Sequence, residues 1–231
     1  MTEENKTERA DMEYRLILLG DTAVGKTCLF KKITTGQFKE KNVSTIGIDR
    51  RTFKVKCDLE QKDGKIITKN VEINLTDTAG QERYKALTKS YYKGADAAVI
   101  LYDITDKKSF YSIDNWIESI INSAQLDKNN YLVFLMGTKI DLVESGEKER
   151  EVTEDEAIEK CDENKIEWGG EFSSKAYSEE KLKSIFVDFV KIIYKKLGDK
   201  KTQQASVKLA NFKKKRNLNC VDFYKYYGIM I

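Results

Sequence analysis

Gly20, Asp21, Thr22, Ala23, Val24, Gly25, Lys26 and Thr27 fit the pattern G-x-x-x-x-G-K-S/T at every fixed position. Such a run can hold the phosphates of a nucleoside triphosphate. Gly20 and Gly25 let the backbone curl so that successive N–H groups form an anion nest, and a helix starting behind them adds its positive end. Lys26 can then reach the β- and γ-phosphates, and the Thr27 hydroxyl can bind the Mg²⁺ that accompanies a triphosphate. The segment expected to touch phosphate extends to Cys28, the first residue after the motif.

A second group starts at Asp77 and continues through Gly80 and Gln81, directly after an alternating stretch over 71–76. A carboxylate at a strand end facing the phosphate loop is where a direct or second-shell Mg²⁺ partner is needed, and Asp77 fills that place. Gly80 lets the backbone approach a terminal phosphate without a side chain in the way. Gln81 is then the candidate to orient an attacking water. Without the upstream loop, the default would be a strand-ending aspartate and a turn glycine.

The elements that must position these groups can be read from periodicity. Nearly continuous apolar runs over 15–19, 97–102 and 131–136 predict parallel strands covered on both faces. The alternation over 71–76 predicts a strand with one more polar face. Helical patterns cover 26–34, 82–93, 107–124, 153–163 and 179–197, giving the order βαββαβαβαβα. Asp63-Gly64 lies between strand-like stretches over 52–59 and 65–76, a hairpin signal that makes one pair antiparallel. Ligands of such sheets bind beyond the carboxyl ends of the strands.

Composition narrows the setting. A chain of 231 residues can bury one sizeable core. The expected division is a flexible extension over 1–12, one domain over 13–197 and a basic, flexible tail over 198–231. Lys and Arg number 41 against 38 Asp and Glu, and a net charge of +3 is too small to argue for nucleic acid. From Lys200 to the end the chain holds Lys200, Lys201, Lys208, Lys213, Lys214, Lys215, Arg216 and Lys225 against Asp222, hence +7, which leaves −4 for the residues before it. Cys28, Cys57, Cys161 and Cys220 lack metal-ligand or disulfide-framework spacing and read as reduced cytosolic thiols. No apolar run reaches the ~18–20 residues that span a bilayer, and the polar start is not a signal peptide. With no histidine in the chain, any chemistry must rest on other groups.

The phosphate motif, the stretch Asp77 to Tyr84 and the spacing between them resemble the Ras superfamily of small GTPases. The Rab branch is the most similar through Ser44 to Asp49, Tyr91 to Ala95 and Leu101 to Thr105. This resemblance implies an α/β fold, the P-loop NTPase small G domain, with a six-stranded mostly parallel sheet, one antiparallel strand pair and five flanking helices. It implies a GTP-binding and GTP-hydrolysing switch in vesicle and membrane traffic, cytoplasmic or on the cytosolic face of an endomembrane. Mg²⁺ is the implied cofactor, held by Thr27, Thr45 and Asp77. Thr45 and Gly80 would follow the γ-phosphate, and Gln81 would be catalytic. Guanine would be read by Phe38, Thr138, Lys139, Asp141, Ser173, Ser174 and Lys175. A carboxylate at Asp141 accepts from both N1–H and the exocyclic amine of guanine, whereas adenine would leave it facing an acceptor. The implied partners are GTP and GDP, an exchange factor, an activating protein and effectors, with a monomer expected and no nucleic acid.

Departures from the family pattern carry expectations of their own. Thr138 stands where most relatives have Asn, which bears on guanine affinity while specificity is expected to survive. Asn42, Arg50 and Thr76 replace residues usual in Rab proteins, and Arg50 with Thr76 points to an unusual partner set. The span from Thr45 to Asp77 is longer than usual, so the Asp63-Gly64 hairpin should project further, as a private binding surface or a tolerated insertion. No Arg precedes Thr45 in that loop, so unassisted turnover should be slow, on the order of 10⁻⁴ to 10⁻³ per second by analogy with Ras. Cys220 is followed by eleven residues and is no C-a-a-X prenylation site. Peripheral membrane contact would fall to the basic stretch from Lys213 to Arg216, weighed against a merely solvated terminus. Two other functions share parts of the pattern. A P-loop kinase or ATPase would lack the two guanine-reading stretches, and a nucleotide-locked scaffold would bind GTP without useful hydrolysis.

Overall fold

The computed structural model describes residues 10–38, 48–78, 92, 94–123 and 132–198. Six strands form one sheet: β1 (Met12–Leu19), β2 (Ile48–Glu60), β3 (Ile66–Thr78), β4 (Ala97–Asp103), β5 (Leu132–Thr138) and β6 (Glu167–Phe172). Their order is β2-β3-β1-β4-β5-β6. Among the described residues, β2 and β3 pair antiparallel, as the hairpin signal predicts, and the other pairings are parallel. The described helices are α1 (Lys26–Thr35), α2 (Lys107–Tyr111), α3 (Ile113–Ser123), α4 (Ile140–Glu144), α5 (Glu154–Asn164) and α6 (Glu179–Leu197).

Alternate residues of the central strands feed two cores. Leu16, Leu18, Val99, Leu101, Phe134 and Met136 face α1 and α6, where Leu29, Phe30, Ile33, Phe186, Phe189 and Ile193 meet them. Ile17, Leu19, Ala98, Ile100, Tyr102 and Leu135 face Phe110, Ile113, Trp116, Ile117 and Cys161 on the other side. Two-sided burial is why these strands read as unbroken apolar runs. Phe134 stacks on Phe189 at a centroid distance of 4.0 Å, and each such ring contributes roughly 1.5–3 kcal/mol by leaving water.

The alternation in β3 also has its expected meaning. Val71, Ile73 and Leu75 are buried in the first core, while Glu72, Asn74 and Thr76 are half-buried on the opposite face. β2 and β3 pair over thirteen rungs, from Ile48 with Thr78 to Glu60 with Ile66. β1 meets β3 only from Val71 to Thr76, so the far end of the hairpin runs past its neighbour. The turn closes through Gly64, at φ 80°, whose N–H donates to the Gln61 carbonyl.

Two local readings differ from the structure. The helix predicted over 107–124 is divided at Ser112, whose backbone N–H donates to the Lys108 and Phe110 carbonyls and caps α2. The short α4 was not anticipated, because five residues give no helical period. The helix predicted over 82–93 lies outside the described residues except for Tyr92, as do the N-terminal extension to residue 9 and the tail from 199.

Candidate functional site

The phosphate loop is curled where its sequence permits. Gly20 has φ 128°, and a Cβ there would sit 2.2 Å from the Leu101 carbonyl oxygen of β4. No side chain fits in that approach. Ala23 is held at φ 65°, an uncommon conformation for a residue with a Cβ, and Gly25 at φ 104° starts α1. Val24 is buried under the loop, while Thr22 and Ala23 are exposed.

Lys26 is 4% exposed and donates to the Gly20 carbonyl at 2.7 Å and the Asp21 carbonyl at 2.6 Å. These bonds fold the ammonium back over the loop. Its pKa is pushed down to about 8, chiefly by burial, with Asp77 and then Asp21 opposing. Phosphate charge beside it would raise that value again. Nucleotide affinity should therefore be flat below pH 8 and fall above it, by up to about tenfold per pH unit, with a proton taken up on binding. Calorimetric GDP titrations in two buffers of different ionisation enthalpy check this, and equal heats at pH 8.5 would count against it.

β3 delivers Asp77 to the start of α1. Thr27 Oγ1 donates to Asp77 Oδ2 at 2.7 Å, although fifty positions separate them. Asp77 is 1% exposed, and its Oδ1 has no hydrogen-bond partner among the described residues. Burial raises its pKa, with the Thr27 hydrogen bond and Lys26 opposing. A buried carboxylate oxygen beside a hydroxyl is a hard-oxygen donor set that suits Mg²⁺. Thr78 Oγ1 donates to the Leu18 carbonyl and ties the end of β3 to β1.

The expected base-reading residues lie at the ends of β5 and β6. Thr138 pairs in register with Asp103 on one side and Phe172 on the other, so Lys139 and Ser173 follow side by side. Thr138 Oγ1 is 2.7 Å from the Val24 carbonyl oxygen and 2.9 Å from that of Tyr102. Lys139, at φ 66°, caps α4 and pairs with Asp103 at 2.6 Å. Asp141 is half-buried in the first turn of α4. Ser173 is fully buried, and its hydroxyl accepts from the Lys175 and Ala176 N–H groups; Ser174 is half-buried and Lys175 exposed. Phe38 is half-buried two residues beyond Gly36, the cap of α1.

The structure thus joins the loop, Asp77 and Thr138 by direct side-chain bonds and sets Lys139, Asp141 and Ser173 to Lys175 at adjacent strand ends. Thr45, Gly80 and Gln81 lie outside the described residues, as does Asn42. Two supporting groups were not singled out from sequence. Asp103 accepts from Thr105 as well as holding Lys139; its only signal was its place in the Leu101 to Thr105 stretch. Trp116 of α3 donates its indole N–H to Asp21 Oδ1 at 2.8 Å. No sequence pattern signals a contact between positions 21 and 116.

Arg50 and Thr76, both unusual for the family, are direct cross-strand partners. Around them the same face is polar. Thr52 bonds Asn74 at 2.5 Å, Asn74 donates to Glu13 at 2.8 Å, and Arg15 lies 3.7 Å from Glu13.

Comparison with known proteins agrees with this geometry. The Ras family matches residues 15–195. "Ras-related protein Rab-13" of Canis lupus familiaris is 35% identical over 193 residues, covering 83% of this chain and 85% of that protein. "Ras-related protein SEC4" of Candida albicans is 34% identical over 186 residues, 80% of each chain. "Ras-related protein RAB1BV" of Beta vulgaris is 35% identical over 198 residues, covering 85% and 84%. With the phosphate loop, the strand order and matches across most of its length in agreement, the chain belongs to the Ras family as a Rab-like small GTPase.

Proposed function

We propose that this chain is a GTP-dependent switch for vesicle traffic, acting at the cytosolic face of an endomembrane. The observation that carries the reading is the pair of side-chain bonds from Thr27 to Asp77 and from Thr138 to Val24. They tie one loop to the metal-side strand end and to the base-side strand end. A nucleotide lying across that loop would have phosphates, metal and base addressed by one rigid frame.

In this reading the domain over 13–197 binds nucleotide, and the flanks act outside it. Residues Gly20 to Cys28 cradle the phosphates, and Lys26 directs its charge to them. Thr27 and Asp77, with Thr45, would hold Mg²⁺, which when bound neutralises charge on the phosphate oxygens during transfer. Gln81 orients the attacking water, and Thr45 with Gly80 follows the γ-phosphate, so its loss releases both loops. Lys139, Asp141 and the stretch Ser173 to Lys175, with Phe38, enclose the guanine. An activating protein supplies the missing arginine, and an exchange factor replaces GDP. Effectors meet the sheet face at Arg50, Thr76 and Asn74, which favours a polar partner surface. The basic tail makes the contact with anionic lipid.

The test is the identity of the co-purifying nucleotide and its fate. Guanine nucleotide is expected, with slow turnover that Gln81→Leu lowers by about 10-fold or more. Bound adenine nucleotide would overturn the reading. For the tail, the full chain should partition with anionic vesicles and a chain ending at Phe212, which lacks Lys213 to Arg216, less so. Equal soluble partitioning would remove any lipid role for that end.

A further inference from the structure

β2 is the outermost strand of the sheet, and among the described residues no strand lies on its far side. Its side chains alternate. Phe53, Val55, Cys57 and Leu59 are buried in the core that α6 covers, while Thr52, Lys54, Lys56, Asp58 and Glu60 are exposed on the opposite face. Contacts fix each set: Phe53 meets Phe186 edge-on at 5.5 Å, the Cys57 thiol donates to the Val187 carbonyl at 3.8 Å, and Asp58 accepts from Thr68 Oγ1 at 2.6 Å.

The backbone alternates as well. At the turn the Gln61 N–H donates to the Lys65 carbonyl at 2.8 Å, and the pairing runs back from there to Ile48 without a change of register. In an antiparallel ladder alternate residues exchange both of their hydrogen bonds with the partner strand, so Val55, Cys57 and Leu59 direct N–H and C=O at β3. Lys56, Asp58 and Glu60 direct theirs at the outer edge. A long edge of this kind is a template for another strand.

Charged side chains on an edge normally oppose such pairing, because like charges meet. In β2 the signs are sorted along the strand, Lys54 and Lys56 first, then Asp58 and Glu60. We propose that this edge is a self-association surface, on which a second copy of the chain adds its own β2 antiparallel, with the two-fold axis at Cys57. Lys56 then stands opposite Asp58 of the second copy and Lys54 opposite Glu60, and symmetry repeats both pairs. An axis at Lys56 or Asp58 would set that residue against its own copy. An axis at Val55 would set lysine against lysine, and one at Leu59 aspartate against glutamate. Only the Cys57 register avoids every like pair, and it also aligns edge-facing backbone with edge-facing backbone, so ladder bonds and ion pairs form together.

Such a contact is isologous and closes at two copies, since each edge covers the other. One strand pair is a small interface, so the dimer is weak and its population rises with concentration. The monomer expected from the sequence is its dilute form. None of these residues belongs to the nucleotide site, and the inference is independent of how that site is read.

Sedimentation equilibrium of the full wild-type chain at low salt should show the mass rising from one chain towards two as concentration increases. Lys54→Glu with Lys56→Glu makes the exposed row wholly acidic, and Asp58→Lys with Glu60→Lys makes it wholly basic. Each double variant should self-associate about 10²-fold or more weakly, because an exposed cross-strand pair is worth about 1.4- to 5-fold and four of them turn repulsive. An equimolar mixture of the two variants should dimerise again, since every facing pair then joins opposite charges. Circular dichroism checks that both are folded. In the wild type, hydrogen exchange at the Lys56, Asp58 and Glu60 amides should slow as concentration rises. A wild type that keeps the mass of one chain up to its solubility limit would overturn the inference, as would a dimer that both double variants retain or a mixture of folded variants that stays monomeric. Should either variant fail to fold, the wild-type amides decide: exchange at those three positions that is the same in dilute and concentrated samples would rule the edge out.

Discussion

Lys26→Ala is expected to weaken GTP and GDP binding by about 10²- to 10³-fold, the cost of truncating one member of a buried, hydrogen-bonded charge pair. The ammonium sits under the loop and is bonded to the Gly20 and Asp21 carbonyls. Removing it takes away the cation that faces the phosphates and leaves two loop carbonyls without their donor. Asp77 also loses a cation that offsets its burial. GTP should suffer more than GDP, because only GTP carries the γ-phosphate. Titration with a fluorescent nucleotide measures the loss, and an unchanged circular dichroism spectrum separates it from unfolding. A change below threefold would show that Lys26 serves the loop alone.

Asp141→Ala is expected to collapse base discrimination. Sites that hydrogen-bond a substrate's polar groups reject an analogue lacking them by about 10⁴- to 10⁵-fold, because the protein's own group is left buried and unpaired. Asp141 is the half-buried carboxylate at the start of α4, beside Lys139, which is fixed by Asp103. Without it, GDP affinity should fall steeply while ADP affinity barely moves. The measured quantity is the ratio of GDP to ADP dissociation constants, by competition. Stability should drop only modestly, by about 0.3–1 kcal/mol, since the helix loses one favourable charge from its first turn. A preserved ratio would place guanine recognition elsewhere.

Much of the architecture was legible because local patterns and global burial agree. Two-sided apolar runs announced β1, β4 and β5, and the one-sided alternation announced β3. Thr153, expected as the first residue of a helix, is the N-cap of α5, with Glu156 completing a capping box. The sixth strand was required by the order of elements but not located. Its residues, from Glu167 through Trp168, Gly169, Gly170 and Glu171 to Phe172, carry no clear period. They form a strand because Gly169 allows a close approach: a Cβ there would lie 2.8 Å from both Met136 and Phe189. That demand comes from β5 and α6, not from the strand itself.

At the site, residue types and chain spacing alone pointed to a phosphate loop with its lysine and hydroxyl and to a carboxylate at a strand end, and the resemblance to small GTPases implied two stretches for guanine. These are local facts, since a motif is a few residues whose backbone and side chains act on one ligand. Tertiary structure decided which groups meet: Thr27 with Asp77, Lys139 with Asp103, Trp116 with Asp21 and Thr138 with Val24. Parallel strand order and packing on both faces bring these distant positions together. The direction of a hydroxyl proton is settled by the carbonyls that surround it in space. For that reason Thr138 could be assigned to the base from its place in a motif, yet only the folded chain shows its single proton engaged by Val24 and Tyr102.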